Sequence, residues 1–271
     1  MSARRLRVAC VGALGRMGER VRAAVTEAAD AELVGALESA GHAGLGTEVA
    51  PNVRVVDDAR VAFANAEVAI DFSIPRATCA TLRIAADCGV AYVCGTTGFA
   101  ASERAEVDVA ARRIPIVWAP SFSVAVNVLT HLVESAARLL GPEFDAEIVE
   151  LHHAAKRDAP SGTALRLAEA IAHVRGQDLA KVMVATREGE VGARPAGAIG
   201  VQALRGGDNP GEHSVFFLGR GERLELIHRT ATRDHFAAGA LRAARWLRGR
   251  APGLYTMDEV LGLESGARRA Q

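Results

Sequence analysis

A turn punctuated by glycines, set between a strand and a helix, constrains this chain more than any other stretch. Leu6 to Val11 is a short apolar run of strand length, and Gly12-Ala-Leu-Gly-Arg-Met-Gly18 follows it at once. An alanine-rich segment of helical character then runs to about Ala29, and Glu32 to Leu37 reads as a second strand closed by Glu38. The glycines have separate tasks. Gly12 permits the tight turn, Gly15 lets a diphosphate approach the backbone, and Gly18 lets the helix lie close on the sheet. The spacing is GxxGxxG, with Leu14 at the usual middle glycine. With Glu38 ending the next strand, the pattern points to a Rossmann-type dinucleotide-binding half. Glu38 is placed to accept hydrogen bonds from the adenosine ribose, and its charge would repel a 2′-phosphate, which favours NADH. Arg16 leaves two readings open: a phosphate partner that admits NADPH as well, or a solvated residue at the start of the helix.

Strand and helix alternate through the rest of the first half. Val53 to Val56 and Val68 to Ser73 read as strands, and a helix starts at Pro75 and runs through Ala86. Val90 to Cys94 is the next strand and ends in Gly95-Thr-Thr-Gly-Phe99. Loops at the carboxyl ends of parallel strands bind ligands, so the amides here and the Thr96 and Thr97 hydroxyls are candidates for the nicotinamide end. The competing reading is a simple glycine-rich turn. A helix from Ser102 to about Arg112 and a strand from Ile114 to Trp118 lead to a second candidate nicotinamide loop, Ala119-Pro-Ser-Phe-Ser123. Ser123 is placed to cap a helix from Val124 to Leu140. Asn127, in the apolar start of that helix, needs a polar partner, for which a backbone carbonyl is one option.

The densest polar chemistry lies further on, in Glu150-Leu-His-His-Ala-Ala-Lys-Arg-Asp-Ala-Pro-Ser-Gly-Thr-Ala164. A strand, Ala146 to Leu151, enters this run and a helix, Ala164 to Val174, leaves it. Ser161 is the expected N-cap, which would leave the amides of Gly162 and Thr163 as donors for a carboxylate. The two imidazoles of His152 and His153 and the Lys156 ammonium lie just upstream of those amides, the pattern of an anion site with proton donors facing it. The competing reading is one core and one surface histidine, since neighbours on a strand point to opposite faces. The chain has 32 Lys+Arg, yet only Lys156 and Lys181 are lysines. Lysine can deliver a proton where arginine cannot. Scarcity alone does not select Lys156, because Lys181 has no evident chemistry around it.

After the polar run come strands at Val182 to Thr186, Ile199 to Leu204, Glu212 to Leu218 and Glu222 to Thr230. They indicate a C-terminal α+β domain with a mixed, largely antiparallel sheet. Alternating apolar residues in Val215-Phe-Phe-Leu218 and Leu224-Glu-Leu-Ile227 suggest a second sheet face covered by other subunits. Arg205, Asp208, Glu212, His213, His228 and Arg233 edge this domain and read mostly as rim or salt-bridge residues. Arg233, just before the last helix at His235 to Arg250, is the best placed to meet a carboxylate. The expected domains are 1–123 for the dinucleotide, 124–234 for substrate and oligomerisation, and 235–271 as a helix and tail returning to the first domain. The tail from Ser265 is the one disorder-prone stretch.

Acidic and basic residues balance at 32 each, which argues against a general nucleic-acid binder. No long apolar span or signal pattern appears, so a soluble cytoplasmic protein with no membrane segment is expected. Cys10, Cys79, Cys88 and Cys94 lack metal or disulfide spacing and read as buried free thiols. The histidines lack a ligand cluster, so no metal is expected.

The motifs together resemble the dihydrodipicolinate reductases, or 4-hydroxy-tetrahydrodipicolinate reductases, of lysine and diaminopimelate synthesis. The likeness rests on Gly12 to Gly18, Asp71-Phe-Ser, Gly95 to Phe99, Phe122-Ser-Val, Glu150 to Lys156, Asp158 to Ala164 and Gly211-Glu-His. The resemblance implies NADH or NADPH as cofactor, with NADH favoured or both used, a cyclic dicarboxylate as substrate, and a homotetramer. It implies catalytic roles for His152 and Lys156 and substrate binding by His153, Gly162 and Thr163. Cofactor contacts would fall on Gly12, Ala13, Leu14, Gly15, Arg16, Met17, Glu38, Gly95, Thr96, Thr97, Ala119, Pro120, Ser121 and Phe122. Some members carry an arginine after the acidic residue to hold a 2′-phosphate; Ser39 stands there in this chain. Two other classes share parts of the pattern, a dehydrogenase of open-chain amino-dicarboxylates and a nicotinamide-binding regulator without turnover.

Overall fold

A computed structural model describes residues 4–263, so the tail from Ser265 lies outside the described residues. The chain forms two compact units, one running through Val124 and resuming at Arg233, the other spanning Ala125–Thr232.

The first unit opens with β1 (Leu6–Val11), α1 (Arg16–Glu27), β2 (Ala31–Leu37), β3 (Glu48–Ala50), β4 (Val53–Val56) and α2 (Ala59–Phe63). It continues with β5 (Val68–Asp71), α3 (Pro75–Cys88), β6 (Ala91–Cys94), α4 (Ala101–Ala111) and β7 (Pro115–Trp118). In the second unit come α5 (Val124–Leu140), β8 (Asp145–His152), α6 (Gly162–Val174), α7 (Leu179–Val182), β9 (Met183–Val184), β10 (Ile199–Arg205), β11 (Glu212–Leu218) and β12 (Arg223–Arg229). The chain then returns to the first unit with α8 (Asp234–Leu247), β13 (Gly253–Tyr255) and α9 (Met257–Leu261).

The first sheet has the order β13-β7-β6-β5-β1-β2-β4-β3, parallel except for the β3–β4 pair. Parallel strands covered on both faces need a continuous apolar run, and β1 supplies one from Val8 to Val11. Val8 and Cys10 pack with Val21 and Val25 of α1 and Leu241 and Leu247 of α8. On the opposite face, Ala9 and Val11 join Leu82 of α3 and Val107 of α4. The last long helix therefore belongs to the first core. A Cβ on Gly239 of α8 would lie 1.8 Å from the Phe122 carbonyl oxygen, so the helix and that loop meet backbone to backbone. This helix ends at Leu247, short of the expected Arg250, and Gly249 takes a left-handed conformation. The sequence reading missed β3 and β13, three residues each at the sheet edges, because so short a run carries no period.

The second sheet has the order β12-β11-β8-β10-β9. It is mixed, with β11 antiparallel to β8 and β12, and β10 parallel to β8 and β9. One face packs Ile148, Val201, Val215 and Phe217 against Leu129 and Val133 of α5 and Leu167 and Ile171 of α6. The expected strand at Val182 to Thr186 shrinks to Met183–Val184, because Leu179–Val182 coils into a turn capped by Asp178. Among the described residues, no helix is long and apolar enough to cross a membrane.

Candidate active site

The glycine turn has the geometry its spacing predicts. Gly12 is left-handed at φ 66°, and the Gly15 amide donates to the Gly12 carbonyl at 3.0 Å. A Cβ on Gly18 would come within 2.0 Å of that same carbonyl oxygen, so only glycine lets α1 approach this closely. Leu14 and Met17 pack on the core and shape the turn, whereas Gly15 and Arg16 are exposed at the start of α1. Glu38 is bound to this turn. Its carboxylate accepts from the Leu14 amide at 3.1 Å, the Ser39 amide at 2.8 Å and the Ser39 hydroxyl at 3.2 Å. Burial pushes the Glu38 carboxyl up, but these hydrogen bonds outweigh it and hold the group below the usual carboxylate range. Gly12, Gly15, Glu38, Ser39, Phe72 and Ser73 line a cleft of about 870 Å³. An open helix N-terminus beside an ionised carboxylate, at the carboxyl ends of parallel strands, fits a dinucleotide.

The two candidate nicotinamide loops are fixed from below. Gly95 lies against Phe72, and a Cβ there would be 2.3 Å from the ring. Phe72 also meets Phe122 edge to face at 5.7 Å. Thr96 is buried, with its hydroxyl 2.9 Å from that of Thr78 and its carbonyl accepting from the Trp118 indole at 3.2 Å. Thr97 is exposed. Of the two threonine hydroxyls singled out in the sequence, one is thus committed to the fold. Ala119 and Phe122 are buried, Pro120 is exposed, and the Ser121 hydroxyl accepts from the Ser123 amide at 3.3 Å. Asp71 anchors the region, accepting from the Ser73 amide and from the Thr78 and Tyr92 hydroxyls, each at 2.7 Å.

In the second unit, β8 alternates half-buried and buried residues, which puts Glu150 and His152 on the covered face. The core histidine is His152, and His153 is half-buried just beyond the strand. Glu150 is fully buried and accepts at both oxygens. Arg205 of β10 donates to each oxygen at 2.8 Å, the Ser161 amide donates at 3.0 Å, and His152 Nδ1 lies at 2.5 Å. Burial opposes ionisation of Glu150, but these bonds, led by Arg205, hold its carboxyl below the usual range. Burial also pushes the His152 imidazole below its ordinary value, against the raising effect of Glu150.

Ser161 caps α6, its hydroxyl accepting from the Ala164 amide at 3.2 Å, while its carbonyl accepts from Leu165 at 3.0 Å. That leaves Gly162 and Thr163 as the open amides of the first turn. Lys156 donates from Nζ to both oxygens of Asp158 at 2.8 Å, a pair that holds the Asp158 carboxyl down.

Of the residues read as rim or salt-bridge positions, Arg205 is half-buried and His213 is buried. Arg205 is the partner of Glu150. His213 is buried with Nε2 3.1 Å from the Ser161 hydroxyl, and burial, with His152 and His228 nearby, pushes its pKa down to about 4. Asn127 accepts at Oδ1 from the Arg166 guanidinium at 3.0 Å. Cys10, Cys79 and Cys94 are buried as expected, whereas Cys88, at the end of α3, is exposed.

Residues 6–122 match the family model for the N-terminus of dihydrodipicolinate reductase, and residues 125–261 match the model for its C-terminus. The chain belongs to the dihydrodipicolinate reductase family. A 4-hydroxy-tetrahydrodipicolinate reductase of Anaeromyxobacter sp. (strain Fw109-5) is 49% identical over 263 residues, 95% of this chain and 98% of that protein. Another, from Anaeromyxobacter dehalogenans (strain 2CP-1 / ATCC BAA-258), is 47% identical over 96% of this chain and 99% of its own length. Among solved structures, the dipicolinate-bound dihydrodipicolinate reductase from Paenisporosarcina sp. TG-14 superposes with a TM-score of 0.76. It is 25% identical and covers 94% of this chain and 98% of its own.

Within this family member, sequence reasoning left Glu150, Asp71 and Phe72 as parts of motifs without roles. The signal for Glu150 was available, since an acid two residues before His152 on a strand shares its face.

Proposed function

We infer that this chain catalyses the NAD(P)H-dependent reduction of 4-hydroxy-tetrahydrodipicolinate, with loss of water, to tetrahydrodipicolinate. The observation that carries this reading is the cluster in the second unit, where a buried Glu150–His152 pair at the end of β8 adjoins the turn that bears Lys156 and leads into α6. The substrate has two carboxylates. The open amides of Gly162 and Thr163 suit one of them, and His153 is the further substrate contact. Lys156 is the principal acid, delivering a proton to the reducing ring, and His152 orients the substrate and assists the transfer. Asp158 holds the Lys156 ammonium at the turn.

The first unit binds the dinucleotide through Gly12 to Met17, Glu38, the Gly95 to Thr97 loop and the Ala119 to Phe122 loop. Bound NADH or NADPH supplies the hydride. Glu38, ionised and followed by Ser39 where an arginine would help a 2′-phosphate, favours NADH or use of both. A homotetramer is part of the reading, supported by the outer face of the second sheet, where Leu204 and Ile227 are exposed. So is a cytoplasmic setting, which the four free cysteines support.

The deciding experiment mixes purified protein with freshly generated 4-hydroxy-tetrahydrodipicolinate and follows oxidation of NADH and NADPH in separate assays. Turnover is expected with NADH at least as fast as with NADPH. Folded protein that binds the dinucleotide but oxidises neither would overturn the reading.

A further inference from the structure

We propose that Glu150 is a positioning residue that locks His152 with its proton on Nδ1, so that the ring enters the reaction as a proton acceptor at Nε2. The role in turnover rests on the reduction inferred above; the tautomer does not.

The carboxylate serves three N–H donors besides the imidazole. Oε1 accepts from the Ser161 amide and one Arg205 nitrogen, and Oε2 accepts from the other Arg205 nitrogen. A carboxyl holding its own proton would have to face three N–H donors around two oxygens. The paired bonds from a permanently charged guanidinium hold the carboxyl ionised and acceptor-only, so Nδ1, 2.5 Å from Oε2, is the donor of that pair. In a neutral ring, Nε2 then carries the lone pair. The groups facing the ring fit a neutral state: besides Glu150 they are Arg205, Lys156 and the edge of the His213 ring at 5.3 Å, with His228 behind His213. Burial works in the same direction.

A second observation concerns the other side of the ring. A Cβ on Gly211 would lie 2.9 Å from His152 Nε2, so a side chain at 211 would crowd the one atom that the Glu150 contact leaves available. Glycine there keeps that neighbour away from Nε2. A third is the link to α6. The carboxylate that holds His152 also accepts the Ser161 amide, and Ser161 caps the helix whose next amides are Gly162 and Thr163. One buried anion thus sets both the imidazole and the helix end that receives a carboxylate. Arg205 completes the device by neutralising that anion through two parallel bonds.

The test uses the full chain labelled with ¹⁵N-histidine. Long-range ¹H–¹⁵N spectra at about pH 8, where a histidine of ordinary or lowered pKa is neutral, report which ring nitrogen carries the proton. His152→Asn identifies the signal. The expected wild-type result is the Nδ1–H tautomer. In Glu150→Gln the amide oxygen should stay with Arg205 and the Ser161 amide, turning the NH₂ group toward Nδ1. The ring should then switch to Nε2–H, and kcat should fall about 100-fold with its pH profile altered and the dinucleotide KM unchanged. A wild-type Nε2–H ring would overturn the proposal, as would a Glu150→Gln enzyme with wild-type kcat and pH profile. If that variant does not fold, the wild-type tautomer alone decides. An Nδ1–H ring in protein that turns over no substrate would uphold the tautomer and overturn its role in the reduction.

Discussion

Gly18 shows how one missing methyl group can decide a site. In Gly18→Ala the new Cβ would meet the Gly12 carbonyl at 2.0 Å, and that atom is backbone in a turn that cannot yield without moving Gly15. The variant is expected to lose about 1–3 kcal/mol in denaturant melts and to bind dinucleotide more weakly in fluorescence titration. His213 acts through charge. Its folded pKa of about 4 lies below the ordinary value of 6.5, so between those values the unfolded chain binds the proton more readily. The stability contributed by its neutral form is therefore complete above about pH 6.5 and is lost as pH falls toward 4, an effect on the order of 2–3 kcal/mol. Urea midpoints measured across that window should fall more steeply for wild type than for His213→Asn. Parallel slopes would remove His213 from the account.

At the scale of the element, α6 joins the fold to the candidate chemistry. Ser161 caps it, binds His213 and gives its amide to Glu150. Ser161→Ala should cost about 1 kcal/mol of stability and raise the KM for the dicarboxylate while leaving the dinucleotide KM unchanged. An equal rise in both would mean general loosening. The helix, its cap and its start were legible because Pro-Ser-Gly-Thr is local chemistry. Its partners were not. Arg205 lies 55 positions from Glu150 and His213 lies 52 from Ser161, and only the pairing of β8 with β10 and β11 brings them together. Sequence period also cannot foretell that Thr96 turns inward to Thr78 while Thr97 faces out, since a loop has no period to read. The glycine turn and the alternating first half could be read because a covered parallel sheet repeats one local pattern.

Across the whole molecule, the outer face of the second sheet is the surface most in need of a partner. Leu204, Leu218 and Ile227 are exposed on short strands whose other face is packed, and a covered face would explain why apolar residues were kept there. Ile227→Asp should reduce the assembled mass measured by light scattering, and an unchanged mass would move the interface elsewhere. The order of the chain has a further consequence. The first sheet takes α8 and β13 from residues beyond Thr232, and α8 supplies Leu241 and Leu247 to its core. During synthesis, the part made first must therefore wait for the part made last, while Ala125–Thr232 has all its strands as soon as it leaves the ribosome. A released chain truncated after Thr232 should hold a protease-resistant second unit joined to an open first sheet, the reverse of the usual amino-to-carboxyl order of folding.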